Sequence, residues 1–315
     1  MAAKPIDLKK VRTVSLMTRP SKVDESLFAS VLKKPVLLSD FVDSLPGILA
    51  GKNFKNLVNL ILKAREKNKP VIMSFGAHVI KCGLSPLIID LIKRNIVTAI
   101  ATNGASTVHD FELSRSGQTS EDVAVRLLDG SFGMTRETGE FLNKAAKTAA
   151  KSSKGLGETI GRQIERSSFP HKHLSVFAAA HRRGIRATVH VAVGTDIIYQ
   201  HPQCDGAAWG KASYQDFKNF ADEVSRIGQG GVLLNFGSAV ILPEVFLKAL
   251  TVCRNLGFKA FDFTTANFDM IRQYRPYQNI VSRPTQDNGR GYDFSGHHEI
   301  MLPLLYAALV NGESK

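Results

Sequence analysis

Two hydrophobic spacings alternate along the chain. Phe54, Leu57, Val58, Leu60, Ile61 and Leu62 recur at helical spacing until Pro70, which predicts a helix over Phe54–Lys69. Val71-Ile72-Met73-Ser74-Phe75 is an unbroken, largely apolar run closed by Gly76, the mark of a short buried strand entering a turn. A second helix is predicted from Ser85 to Lys93, with Ser85 as N-cap, Pro86 in the first turn and an apolar face behind it. Val97–Thr102 is the next strand, and it runs into the small-residue turn Asn103-Gly104-Ala105-Ser106.

The same grammar continues downstream. Strands are predicted over Arg186–Val193, ending in Gly194-Thr195-Asp196, and over Gly231–Phe236, ending in Gly237-Ser238-Ala239. A third covers Ala260–Thr264 and ends in Thr265-Ala266-Asn267, with helices at Tyr214–Ile227 and about Pro243–Leu256 between them. Strands alternating with helices predict an α/β fold: a Rossmann-like, doubly wound, mostly parallel sheet. Ligands of such sheets bind beyond the carboxyl ends of the strands. Small residues at each of these strand ends leave backbone uncovered, as the close approach of a nucleotide requires. Neither G-x-G-x-x-G nor G-x-x-x-x-G-K-[ST] is present.

Two stretches break the pattern. Lys144–Glu165 is rich in Lys, Ala, Ser and Gly, and so reads as an exposed, mobile helix or lid with little surface to bury. Residues 275–299 show no periodicity and read as a long loop, either functional or disordered. Residues 1–50 read as an extension that packs on the body or on a neighbouring subunit, and 51–315 as one α/β domain.

Composition narrows the class. Of 315 residues 43% are hydrophobic and 22% charged, which excludes fibrous and wholly disordered chains. The longest apolar runs, Val97–Ala101 and Leu302–Val310, fall short of the ~20 residues a membrane span needs. Met1–Lys10 carries three lysines and no apolar stretch, so no secretory signal is expected. Cys82, Cys204 and Cys253 lie far apart and read as reduced thiols. The chain therefore reads as soluble and cytoplasmic. Lys and Arg number 41 against 28 Asp and Glu, a net +13. That charge fits a nucleic-acid binder, an enzyme handling anionic cofactors, or simply solvated lysines on helix faces.

Several side chains could carry chemistry. Asp196, at a strand end after Gly194-Thr195, stands where a carboxylate accepts from a ribose diol, or where it caps a helix. His109, Asp110 and His297 are the polar candidates for acid–base work. His171-Lys172-His173 and His297-His298 have no spacing that fixes a metal geometry, and no H-E-x-x-H occurs, so no metal is expected. Lys81 could serve as an active amine or as a solvated charge.

These segments, in order, resemble deoxyhypusine synthase. Phe75-Gly76-Ala77-His78-Val79-Ile80-Lys81-Cys82-Gly83-Leu84 is similar to the family's Thr-Ser-Asn-Leu-Ile segment with its following Ser-Ser-Gly. Ala101-Thr102-Asn103-Gly104-Ala105-Ser106-Thr107-Val108-His109-Asp110 resembles its Thr-Thr-Ala-Gly-Gly turn and acidic run. Gly194-Thr195-Asp196 is similar to Leu-Thr-Asp-Gly, and Phe236-Gly237-Ser238-Ala239-Val240 to a Gly-Gly-Gly-Val-Val turn. Thr265-Ala266-Asn267-Phe268-Asp269 resembles Thr-Ala-Gln-Glu-Phe-Asp, and Met301-Leu302-Pro303-Leu304-Leu305 the family's terminal Phe-Pro-Leu-Leu. The resemblance spans about residues 70–310. It implies a Rossmann-like NAD fold, a homotetramer, and NAD-dependent aminobutyl transfer from spermidine through an imine on an enzyme lysine. The cofactor positions it implies are Thr102, Asn103, Gly104, Asp196, Ser238, Thr265 and Ala266.

The family's catalytic residues do not carry over. Its lysine lies in a Trp-Gly-Lys motif shortly before the terminal Pro-Leu-Leu, and residues 275–302 contain no lysine. Its histidine after the glycine turn falls near Leu242-Pro243, and its substrate-binding carboxylate near Val108-His109. The expected function is therefore that of a deoxyhypusine synthase-like protein that binds NAD and oxidises a different amine or alcohol, with or without group transfer. The alternative is a non-catalytic basic protein that binds RNA or another anionic partner. Arg272, Arg275, Arg283 and Arg290 predict a pocket that prefers an anionic small molecule to a polyamine.

Overall fold

Val71, Ile72, Met73 and Phe75 are buried completely, and the strand they form, β1 (Val71–Phe75), is central in a six-stranded sheet. Residues 12, 24–32 and 37–313 are described by the structure, a computed structural model. The other strands are β2 (Ala99–Asn103), β3 (Arg186–His190), β4 (Val232–Phe236), β5 (Thr264–Asp269) and β6 (Arg290–Ser295). They lie in the order β3-β2-β1-β4-β5-β6, and every neighbouring pair is parallel. Strands covered on both faces must be apolar on both, which is why the inner ones read as continuous runs. Val71, Met73 and Phe75 enter one core and Ile72 the other.

The helices follow the strands in sequence. Before β1 come α1 (Leu38–Ser44) and α2 (Leu49–Glu66), and between β1 and β2 come α3 (His78–Lys81) and α4 (Ser85–Lys93). Five helices separate β2 from β3: α5 (Gly104–Ser116), α6 (Val123–Leu128), α7 (Arg136–Ala150), α8 (Leu156–Glu165) and α9 (Val176–Arg183). Then come α10 (Gly206–Ser225), α11 (Ile241–Asn255), the short α12 (Tyr274–Pro276) and α13 (His298–Gly312). Leu242, Phe246, Ala249 and Leu250 of α11 cover one face of the sheet, while α2, α4 and α13 cover the other. No helix among the described residues is long and apolar enough to cross a membrane.

Several sequence expectations are corrected here. The first long helix begins at Leu49, not Phe54. Ser85 does not cap α4; it lies within the helix, and its hydroxyl is buried without a partner. Lys144–Glu165 is no mobile lid. Ala145, Ala146, Ala149, Leu156, Ile160 and Ile164 are fully buried, because small side chains let α7 and α8 sit close to their neighbours. Gly157 and Gly161 face the backbone carbonyls of Ala187 and Phe177, where no side chain would fit. Asp216 on α10 secures the start of α8, with its Oδ2 accepting from the N–H of Leu156 (3.0 Å), Gly157 (3.0 Å) and Val189 (2.9 Å).

Residues 275–299 are ordered as well. They form a π-helical segment, Tyr277–Ser282, then β6 and the start of α13. The strand expected at Ala260–Thr264 is displaced to Thr264–Asp269. Phe261 and Asp262 instead accept from Gln229 (3.0 Å) and Gly230 (2.8 Å) in the turn before β4. Of the amino-terminal extension, Met1–Val11, 13–23 and 33–36 lie outside the described residues. Of the rest, Val42 and Leu45 pack against the core beside α2 and α13.

Candidate functional site

The strand order reverses between β1 and β4, so the crevice of a doubly wound sheet lies at their carboxyl ends. Gly76 and Gly237 close these two strands, and a side-chain carbon on Gly76 would stand 2.7 Å from the Gly237 carbonyl oxygen. Beside them, at the ends of β2 and β3, lies a cavity of about 230 Å³. Lys81, His109, Glu112, Glu121, Phe132 and Asp196 line it.

Thr102, Asn103 and Gly104 form the turn beside the cavity and do not line it. Asn103 ends β2 and caps α5, its Oδ1 accepting from Ser106 N–H at 3.1 Å and from the Ser106 hydroxyl at 2.8 Å. Thr102 is buried, its hydroxyl placed against Phe75 O (2.7 Å) and Ser106 Oγ. Asp196 begins a short 3₁₀ turn, Ile197–Gln200, yet its side chain makes no cap bond there. It reaches back to the first turn of α5, fills the space that a side chain on Gly104 would take, and accepts from Ala105 N–H. Asp196 thus leaves the turn that follows it uncapped and instead binds an N–H in the first turn of α5. Burial pushes its carboxyl up to about 6, and the Ala105 hydrogen bond only partly opposes this.

His109 is one turn inside α5. Its Nδ1 lies 2.7 Å from the Thr119 hydroxyl, which donates to Glu112 Oε2 at 2.6 Å. Burial holds the imidazole down at about 4, and the charges of Lys81 and His78 act in the same direction. Thr119 and Glu112 were not singled out in the sequence. Their one signal is the helical spacing of His109 and Glu112, which puts them on the same side of α5.

The other candidates lie apart from this cavity. Asp110 is turned into the core, where it accepts from the Ser175 hydroxyl and from Val176 N–H (2.7 Å) at the start of α9. Burial raises it to about 7, and its place is that of a structural cap. Ser238 caps α11, its Oγ accepting from Leu242 N–H at 3.1 Å. Thr265 and Ala266 are not in a turn but inside β5, fully buried, with the Thr265 hydroxyl donating to Ile280 O at 2.7 Å. Asp269 and Met270 hold the strand end instead.

His297 is exposed, and its Nδ1 lies 3.7 Å from Glu299 Oε1. Its neighbour His298 is the one that enters the crevice: it is buried, lies against Gly237, and has its ring 6.0 Å from that of His78. The Nδ1 of His298 has no hydrogen-bond partner, and burial lowers its pKa. Which of two adjacent histidines faces inward depends on how α13 is docked, which no spacing states.

The four arginines do not share one site; only Arg275 and Arg283 are linked, through Glu244 and Asn279. Arg272 pairs with Asp293 (3.1 Å) and Arg275 with Glu244 (3.3 Å). Arg283 bonds Asn279 (2.8 Å), and Arg290 opens β6 at the opposite edge of the sheet. The anion-preferring pocket expected from them is therefore not formed by these side chains. A Trp-Gly-Lys run does occur, at Trp209-Gly210-Lys211, but within α10, where Trp209 is a core residue donating to Asn143 Oδ1 at 2.8 Å. Among the described residues, no three His, Cys, Asp or Glu side chains are grouped to hold a metal.

No protein-family model and no curated protein matches the chain. Solved structures do. A protein of Entamoeba histolytica, provisionally assigned as a deoxyhypusine synthase, aligns over 88% of this chain and 94% of its own, with TM-score 0.53 and 12% identity. A conserved Methanococcus maripaludis S2 protein, provisionally assigned to the LOR/SDH group, aligns over 83% of this chain and 70% of its own, with TM-score 0.52 and 12% identity. AgrE, solved with ornithine and NAD+, aligns over 84% of this chain with TM-score 0.50 and 14% identity. This chain spans about a third of AgrE's length, 33%. At such identities the likeness is one of fold: the six-stranded parallel sheet is Rossmann-like and is shared with a provisionally assigned deoxyhypusine synthase.

Proposed function

We propose that this protein is a deoxyhypusine synthase-like, NAD-linked enzyme that oxidises a small amine or alcohol, with or without group transfer, at the cavity beyond the carboxyl ends of β2 and β3. One observation carries the reading. His109 and Asp196, far apart in sequence, line one cavity at the carboxyl edge of a parallel sheet, beside the crevice where strand order reverses.

The residues present fit a dinucleotide. The Asp196 carboxylate accepts one backbone N–H and is otherwise desolvated, so it has acceptor capacity for the paired hydroxyls of a ribose. Lys81 supplies a cation on the wall toward β1, suited to phosphate oxygens. Gly76, Gly104 and Gly237 lie along the same edge, but each is packed against a protein neighbour, the Gly237 carbonyl, the Asp196 carboxylate and the His298 ring, so the uncovered backbone expected at these strand ends is absent at these three. When bound, NAD supplies a hydride acceptor. His109, kept neutral by burial, takes the proton from the substrate's hydroxyl or amine. Asp196 orients a donor group, and Phe132 helps to exclude water. The fold shared with AgrE, which was solved with NAD+, supports the reading without fixing the substrate.

The test is to denature the purified protein and identify released small molecules by mass spectrometry, then to titrate NAD+ into wild-type and Asp196→Ala protein. Bound nucleotide in the wild type, with affinity at least tenfold weaker in the variant, is the expected result. Absence of released nucleotide together with no NAD+ binding at millimolar concentration would overturn it. Salt-sensitive RNA binding in that circumstance would favour the basic binding-protein alternative.

A further inference from the structure

We infer that Thr119 and Glu112 lock the His109 imidazole in a single tautomer, protonated at Nδ1, so that Nε2 stands in the cavity as a lone-pair acceptor. The inference follows from hydrogen-bond accounting around one hydroxyl. A carboxylate only accepts, so in the 2.6 Å contact with Glu112 Oε2 the Thr119 hydroxyl must be the donor. Its single proton is then used, and toward His109 Nδ1, 2.7 Å away, Thr119 can only accept. Nδ1 must therefore carry the ring proton, and Nε2 is left with its lone pair. A neighbour that fixes one ring nitrogen thereby sets what the other nitrogen can do.

The relay is itself held in place. Glu112 Oε1 accepts from the Thr138 hydroxyl of α7 at 3.0 Å, so the carboxylate is bound at both oxygens and cannot swing from Thr119 without losing a second bond. The chain leaves α5 at Gly117, with φ +73°, and passes a second left-handed residue, Ser120, with φ +76°. This corner returns Thr119 against the helix it has just left. The charged and titratable groups around the ring are Lys81, His78, Glu112, Glu121 and Asp196. Burial keeps the ring neutral, and only a neutral ring offers the acceptor.

Thr119 does not line the cavity and acts only through His109, as a positioning residue; Glu112 positions Thr119 and also lines the cavity. The catalytic consequence rests on the proposed function, because a base needs a substrate proton to remove. The tautomer does not depend on it and is measurable with nothing bound.

Long-range proton–nitrogen NMR on the full, ring-nitrogen-labelled chain near neutral pH tests it, with His109→Gln assigning the signals. The expected wild-type pattern is a protonated Nδ1 and an unprotonated Nε2. Thr119→Val should give a mixture of both tautomers, and Thr119→Ser should restore the single form, which loss of packing alone would not do. A wild-type ring protonated at Nε2, or an unchanged pattern in folded Thr119→Val, overturns the inference. Should the valine variant fail to fold, the wild-type and Thr119→Ser spectra still decide it. Because NAD+ binding is read separately, failure of the cofactor reading and failure of the relay are distinguishable.

Discussion

Asn235 donates from Nδ2 to Asn267 Oδ1 at 2.8 Å, side chain to side chain, across the paired strands β4 and β5. The contact continues in both directions. Asn267 Nδ2 donates to Asp293 Oδ1 on β6 at 2.9 Å, Ser74 on β1 donates to Asn235 Oδ1 at 3.2 Å, and Arg272 closes on Asp293 at 3.1 Å. One rung of the sheet is thus polar from β1 to β6, although Ser74, Asn235 and Asn267 are all buried. These four strands must be in register for the side chains to meet, so the rung penalises slippage near the carboxyl edge.

Asn235→Ala should be costly. It removes the donor to Asn267 Oδ1 and to Ser238 O (3.1 Å), leaving buried acceptors unpaired. A loss of about 3 kcal/mol is expected from such a change, read as a fall in the denaturant midpoint. A loss below about 1 kcal/mol would show that water or a neighbour replaces the amide.

Gly237→Ala should strain the crevice in two ways. Gly237 has φ +64°, and an added side-chain carbon would run into the His298 imidazole. The left-handed conformation costs about 1–2 kcal/mol, and the clash adds to it. In a double-mutant cycle, His298→Ala should relieve the clash but not the backbone term. Strictly additive effects on thermal stability would contradict the contact.

Asp196 should make stability depend on pH in a defined window. Its folded carboxyl is raised from 3.8 to about 6, so its contribution is fully present below pH ~4 and is lost as pH rises through about 6. The full shift corresponds to about 3 kcal/mol, of which partial exposure leaves about 1–2. Asp196→Asn removes this dependence. Its melting temperature should therefore gain on the wild type between pH 4 and pH 6, with a constant difference above that range. A difference that is flat across the window would refute the buried carboxylate.

Gly157→Ala and Gly161→Ala should each destabilise the fold by about 1–3 kcal/mol. Both added carbons would press on backbone carbonyls, those of Ala187 and Phe177, which cannot rotate away as a side chain would. An unchanged melting temperature for either variant would mean that α8 can retreat from β3 or α9 at no cost.

The α/β fold class was legible along the chain because its inner strands are covered on both faces. β1 and β4 are apolar at nearly every position, and β2 ends in a recognisable small-residue turn, so strand, turn and helix follow one another visibly. β5 was placed four residues too early for the opposite reason. Thr264–Asp269 carries Thr, Asn and Asp into the interior, and only the partners on β4 and β6 and the π-helical segment make that burial affordable. Alone, Ala260–Phe263, with two phenylalanines about Asp262, looks like the better strand.

The small-residue stretch 144–165 failed similarly. Alanine and glycine bury little area each, so local composition reads as exposure, yet the same residues allow the closest packing once a neighbouring helix is in place. Local sequence placed the carboxyl ends of β1, β2 and β4 to within a residue, but not those of β3 and β5. Tertiary structure decided which side chains meet there. It turned His298 inward and His297 out, buried Asp110 under α9, paired Arg272 and Arg275 with carboxylates, and brought Thr119 back onto His109. Periodicity reports which face of an element is apolar, while hydrogen bonds and ion pairs between elements depend on how those faces are docked.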